Sequence, residues 1–146
     1  MVECSSHAAP VTIVGGGPVG MTLGLVLSAH GIHASIYDAR PRGAARDDKR
    51  IIALSHGSRQ ILEWLGVWQQ IIATPIRTIH VSQQGGFGRT RIRAEEQGVP
   101  ALGYVATAAS ISTALDNARA TRNIEFHGDN RGEHAEATAQ HVTLHC

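Results

Sequence analysis

Val11-Thr12-Ile13-Val14 runs without a break into Gly15-Gly16-Gly17-Pro18-Val19-Gly20. A short apolar run followed by a glycine cluster reads as a strand that turns sharply into a helix. Gly15, Gly17 and Gly20 fill the three glycine positions of G-x-G-x-x-G. The first permits the tight turn, the second lets a ligand approach the backbone, and the third brings helix and strand together. Pro18 suits the first helical turn, where its missing N–H costs nothing. Val19, Leu23, Val26 and Leu27 recur at helical spacing, and Gly31 closes the helix.

A second strand follows, His33-Ala34-Ser35-Ile36-Tyr37, and ends in Asp38, 21 residues beyond Gly17. An acid at about that distance accepts hydrogen bonds from ribose hydroxyls and repels a 2′-phosphate. The helix N-terminus points free N–H groups and its positive dipole end at an anion. Strand, glycine turn, helix, strand and acid together predict a βαβ unit that binds an adenine dinucleotide by its pyrophosphate and ribose. The motif does not separate FAD from NAD. The bland alternative is a glycine-rich turn in an ordinary α/β domain.

Composition narrows the class. The 146 residues make about one domain. Formal net charge is +1, with 13 basic and 12 acidic residues, so no nucleic-acid footprint is expected. All the basic residues except Lys49 are arginine, which we read as coding bias. No apolar run approaches the roughly 18 residues of a membrane span. Met1-Val2-Glu3-Cys4-Ser5-Ser6-His7 lacks the basic start and apolar core of a signal peptide. Cys4 and Cys146 lie at opposite ends, as in a reducing compartment, and the expected localisation is cytoplasmic.

Further along, residues 39–50 read as a charged loop. Ser55 is the expected N-cap of a helix through Leu65, with Ile61, Leu62 and Leu65 on its apolar face. Val67 to Ile72 adds a helical turn stopped by Thr74-Pro75. Ile79 and Val81 alternate with His80 and Ser82 as a strand, residues 84–88 form a turn, and residues 89–93 return as a strand. Residues 102–105 suggest a short strand, 108–120 a helix, 123–126 a strand and 140–145 a final strand. The expected division is a flexible 1–9, a dinucleotide-binding 10–72, a β-hairpin segment 73–105, and helix and strands over 106–146.

Other candidates read as structural. His30 and His33 straddle Gly31, and His141 and His145 would share a strand face; neither pair comes with a metal-ligand pattern. Ser55 and Ser58 are cap residues rather than nucleophiles. Glu95-Glu96 reads as a solvated loop pair. Trp64 and Trp68 are expected to pack a helix on a sheet. Arg89, Arg91 and Arg93 stripe one strand face as a solvated edge that discourages aggregation, with an anionic surface as the alternative partner.

Four stretches together resemble a known family: residues 11–21; Asp38; Asp48-Lys49-Arg50-Ile51-Ile52-Ala53-Leu54-Ser55 with Gly57-Ser58; and residues 74–90 reaching Leu102-Gly103-Tyr104-Val105. Over residues 10–107 the chain resembles the N-terminal part of the flavoprotein aromatic hydroxylases of ubiquinone biosynthesis, of the 2-octaprenyl-6-methoxyphenol hydroxylase type. The resemblance implies an α/β fold: a Rossmann-like FAD/NAD(P)-binding βαβ core with an inserted β-hairpin segment on the substrate side, incomplete at the C-terminus. It implies FAD as cofactor, NADH or NADPH as reductant, and oxygen transfer to a polyprenylated phenol.

By the same resemblance Gly15, Gly17, Pro18, Val19 and Gly20 hold the pyrophosphate, and Asp38, Ala39 and Arg40 surround the adenosine ribose. Arg50 matches a family arginine near the phosphates, where a guanidinium can fork onto oxygen. Peripheral association with the inner membrane or a biosynthetic complex is a further implication. Residues 106–113 depart from the family, which carries larger polar or basic side chains along this helix. Family members are more than twice as long and carry later Asp-Gly and Gly-Asp motifs. The chain therefore reads as an N-terminal fragment that binds the ADP half of FAD and tends to self-associate. The alternatives are a non-catalytic remnant keeping a dinucleotide half-site and a stand-alone NAD-binding protein.

Overall fold

The chain folds as a parallel α/β unit joined to antiparallel strands, seen in a computed structural model that describes residues 11–82, 89–137 and 142–145. β1 (Val11–Val14), α1 (Pro18–Ala29) and β2 (Ala34–Tyr37) make the βαβ start, with Val11 opposite Ala34 and Val14 opposite Tyr37 in parallel register. β3 (Ile51–Ser55) leads into α2 (His56–Trp64), and β4 (Ala73–Ile76) follows. β5 (Thr78–Ser82) and β6 (Arg89–Arg93) form an antiparallel ribbon exposed on most of its surface. β7 (Gly103–Thr107) enters α3 (Ala108–Thr121), which returns through β8 (Glu125–His127). β9 (His134–Ala137) and β10 (Val142–His145) pair antiparallel.

Two three-stranded sheets organise these elements. The parallel sheet has the order β1-β2-β8, so its last strand in sequence lies beside β2. The antiparallel sheet has the order β3-β7-β4. Leu25, Ile36, Val67, Ile111 and Leu115 are fully buried at the centre of one core that runs between them. Arg122 fastens the layers: its guanidinium donates to the carbonyls of Leu25, at 3.1 Å, and Leu65, at 2.9 Å.

The caps explain where the helices begin and end. Ser55 Oγ accepts from the Ser58 N–H at 3.0 Å and starts α2, and Thr107 Oγ1 accepts from the Ser110 N–H at 3.2 Å and starts α3. At the end of α1, Gly31 takes φ +73°, while Gly31 and Ile32 donate back to Ser28 and Leu27. That paired bonding is the Schellman ending glycine favours.

Of the residues at helical spacing in α1, Val26 and Leu27 pack against the core beside the buried Met21, Gly24 and Leu25, while Val19 and Leu23 are 84% and 46% exposed. Gly24 lies on that face, where a Cβ would stand 3.0 Å from Ile36 Cδ1, close enough that the isoleucine side chain would have to give way. Several expectations are corrected. Thr74-Pro75 does not merely stop a helix but lies within β4. β4 is an edge strand, where a missing N–H costs little. The strand expected over 123–126 begins at Glu125, because Asn123 turns through φ +52°. Trp64 is 60% exposed and leans on His30, whereas Trp68 lies beyond α2 and meets the Tyr104 ring edge-on at 4.9 Å. Glu95-Glu96 lies in a 3-10 turn rather than an open loop. Residues 1–9, the turn at 84–88, His141 and Cys146 lie outside the described residues.

Candidate functional site

The glycine turn stands at the C-terminal ends of β1 and β2. The Gly15 N–H donates to the Tyr37 carbonyl at 2.7 Å, extending the ladder one step, and Gly15 then turns with φ +107°. A Cβ on Gly20 would collide with the Gly15 carbonyl, so this position keeps helix and turn in contact. A Cβ on Gly17 would meet nothing within 4 Å: the backbone here borders open space. No side chain caps α1, Pro18 has no N–H, and the N–H groups of Val19 and Gly20 come too early for an intrahelical acceptor. The result is an uncapped, positively polarised helix end facing outward. The donor set suits an anion.

Asp38 lies directly beside it, 7% exposed. Its Oδ2 accepts from the Gly16 N–H at 2.6 Å, and its Oδ1 accepts from the Arg40 N–H at 2.8 Å. The Arg40 guanidinium adds a fork, Nε to Oδ1 at 3.1 Å and Nη2 to Oδ2 at 3.2 Å. Burial pushes the carboxyl up. The hydrogen bonds from the Arg40 side chain, the Arg40 N–H and the Gly16 N–H outweigh it and leave the pKa below the ordinary value. Asp38 is thus a charged acceptor at the site.

Behind it, Asp116 on α3 pins the loop between β2 and β3. Arg46 Nη2 reaches Asp116 Oδ2 at 3.0 Å, Arg42 Nε lies 3.5 Å from Oδ1, and Arg119 Nε donates to Oδ1 at 3.0 Å. Burial raises the Asp116 carboxyl, and the Arg46 and Arg119 hydrogen bonds with the Arg42 charge bring it below the ordinary value. Between this anchor and Asp38 is a cavity of about 30 Å³ lined by Gly16, Met21, Asp38, Arg40, Asp116 and Phe126, among others. That is room for about one or two waters and not for a sugar.

The structure therefore brings together Gly15, Gly17, Pro18, Val19, Gly20, Asp38 and Arg40. Ala39 lies exposed between the last two. Arg50 stands apart, just before β3, with its side chain 78% exposed and its Nη2 2.6 Å from Asp48 Oδ2. That ion pair lowers Asp48 to about 2. Arg50 and Arg40 still sense each other's charge. Sequence reasoning missed Gly16, Phe126, Asp116, Arg42 and Arg46. A Cβ on Gly16 would run into the Phe126 ring, 2.8 Å from Cζ, so Gly16, like Gly20, has no room for a side chain. Among the described residues, no group of three His, Cys, Asp or Glu could hold a metal ion.

Comparison with known proteins agrees with this geometry. The model of a family described as FAD binding domain matches residues 8–145. The uncharacterized protein slr1300 of Synechocystis sp. is 34% identical over 109 residues, 73% of this chain and 26% of that protein. The 3-demethoxyubiquinol 3-hydroxylase of Escherichia coli is 33% identical over 112 residues, 72% of this chain and 28% of the hydroxylase. The chain thus spans about a quarter of the length of these relatives. Among solved structures, the flavin-dependent monooxygenase PieE in complex with FAD and substrate superposes with a TM-score of 0.74 at 21% identity, over 93% of this chain and 26% of PieE. At that identity the likeness establishes the fold.

Proposed function

The chain belongs to the FAD binding domain family, and on that premise we propose that it holds the ADP half of FAD in a monooxygenase that hydroxylates the ring of a polyprenylated phenol in ubiquinone biosynthesis. The observation that carries the reading is the adjacency of the open backbone at Gly17 and the buried, charged carboxylate of Asp38. A pyrophosphate and a ribose are joined as neighbours in any ADP group. Similarity to the ubiquinol hydroxylase supports the substrate class.

Each residue then has a task. The turn at Gly15 aims the end of α1, and the N–H groups of Gly17, Val19 and Gly20 take the pyrophosphate. Pro18 holds the first turn in shape without competing for it. Asp38 accepts from the ribose hydroxyls and repels a 2′-phosphate, which favours FAD over a phosphorylated nicotinamide cofactor at this position. Ala39 and the Arg40 backbone border the adenosine in this reading, and Arg50, just before β3, is assigned to the phosphates. When bound, FAD supplies the redox chemistry, taking electrons from NADH or NADPH and activating dioxygen. A polyprenylated ring is lodged in a bilayer, so the reading places the protein at the cytoplasmic face of the inner membrane. No helix among the described residues is long and apolar enough to cross it.

One second reading has an observation behind it. The glycine turn and Asp38 address only groups that FAD and NAD share, so an NAD-binding module uses the same residues. Titration of the wild-type chain and Asp38→Ala with ADP, and with NAD against NADP, which differ only in the 2′-phosphate, tests the half-site common to both. Wild type is expected to prefer NAD to NADP, and Asp38→Ala to lose about tenfold in ADP affinity and most of that preference. Equal ADP affinities in an Asp38→Ala protein that still folds would remove Asp38 from the site and the reading with it.

A further inference from the structure

Asp38 has no acceptor position to spare. A carboxylate offers about four lone-pair sites, and here four donors use them: the Gly16 N–H and Arg40 Nη2 on Oδ2, the Arg40 N–H and Nε on Oδ1. The two backbone donors fix the carboxylate in place. The guanidinium fork takes the second site on each oxygen. A ribose 2′,3′-diol, with two O–H donors side by side, needs the same pair of sites. The cavity next to Asp38, of about 30 Å³, is itself too small to hold a sugar.

We infer that the Arg40 guanidinium is an internal stand-in for the ribose diol, a positioning residue that must leave Asp38 when an adenine nucleotide binds. The inference rests on the ADP half-site proposed above. The fork neutralises a carboxylate that is 7% exposed, a burial that is costly for an unpaired charge. The Arg40 side chain is 49% exposed, so its head swings into solvent when the diol takes its place. The backbone bonds from Gly16 and Arg40 stay, and the acceptor pair is presented to the ribose already oriented. Arg40 thereby sets the affinity threshold for the diol: only a ligand with both hydroxyls replaces both arms of the fork.

The test uses the whole chain, wild type, Arg40→Ala, Asp38→Asn and the double variant, titrated calorimetrically with ADP and 2′-deoxy-ADP. The Arg40 Nε–H resonance is followed by NMR in the wild type. Arg40→Ala is expected to bind ADP about three- to tenfold more tightly than wild type, as removal of a half-exposed competing ion pair allows. The gain is smaller for 2′-deoxy-ADP and absent in the Asp38→Asn background. In the wild type the Arg40 Nε–H resonance moves as ADP saturates. Wild type that binds ADP while Arg40→Ala binds it equally or more weakly overturns the stand-in alone. So does an Arg40 Nε–H resonance unmoved by saturating ADP. If neither wild type nor Arg40→Ala binds ADP, the half-site reading falls and the stand-in with it.

Discussion

The Gly16 N–H donates to Asp38 Oδ2 across 2.6 Å, tying the glycine turn after β1 to the acid after β2. The bond joins the pyrophosphate side of the site to the ribose side through one backbone group. Gly16 can make it only because it has no side chain, since Phe126 and Asp38 fill the space where one would stand. The sheet order β1-β2-β8 delivers Phe126 there, opposite Ile36 on β2.

Gly16→Ala is therefore expected to cost about 1–3 kcal/mol of stability through overpacking against the Phe126 ring, and to weaken ADP binding by shifting the turn. Urea denaturation and calorimetry measure the two effects. Adding Phe126→Leu, which clears the ring, is expected to restore part of both. An alanine variant as stable as wild type would show that the turn yields freely.

Asp116 is the anchor of the loop that carries Arg40. Replacing it by alanine leaves Arg119, 5% exposed, without its carboxylate. The expected loss is about 3 kcal/mol, the usual cost of breaking a buried ion pair from one side. The loop is then expected to be cut faster by trypsin at Arg42 and Arg46. Unchanged stability and cleavage would mean that the loop is held elsewhere.

Asp38 and Asp116 have folded-state pKa values below their unfolded value of about 3.9. Their contribution is present above that value and lost as pH falls through the depressed folded value. Urea midpoints measured from pH 7 to pH 2 are expected to carry this loss only below about pH 4, and Asp116→Asn is expected to shrink it. A loss complete by pH 5 would contradict the assignment.

β1 has a paired neighbour on one side only among the described residues, and Val14, at 63%, Val19 and Leu23 are exposed beside it. An open strand edge with apolar residues invites pairing with another chain. The isolated 146 residues are expected to self-associate, and Val14→Lys to reduce the association seen by sedimentation velocity. A monomer at all concentrations with a reversible midpoint above about 60 °C would contradict this.

Much of the site was legible because it is local. The turn from Val14 to Gly20, the acid at Asp38 and the cap at Ser55 depend on neighbours within one turn or one βαβ unit. The face that α1 docks was only partly legible: Val26 and Leu27 pack on the core, but Gly24, which meets Ile36, carries no hydrophobic signal. Pro75 hid β4, since a proline is tolerated only when a strand lies at an edge, and sheet order is a tertiary fact. The Gly16 bond to Asp38 was invisible for a similar reason: the motif leaves position 16 unspecified, and Phe126, whose ring occupies the space a side chain there would need, is distant in sequence. Asp116, Arg42 and Arg46 gave no periodic signal. Their meaning comes from α3 packing against the loop.

The most direct test of the account is calorimetric titration of the purified chain with FAD, NAD and ADP, alongside its visible absorption spectrum. The account predicts that all three bind through the same ADP half-site, that FAD binds at least as tightly as ADP, and that Asp38→Ala weakens them together. A folded chain that carries no flavin and binds none of the three would contradict it.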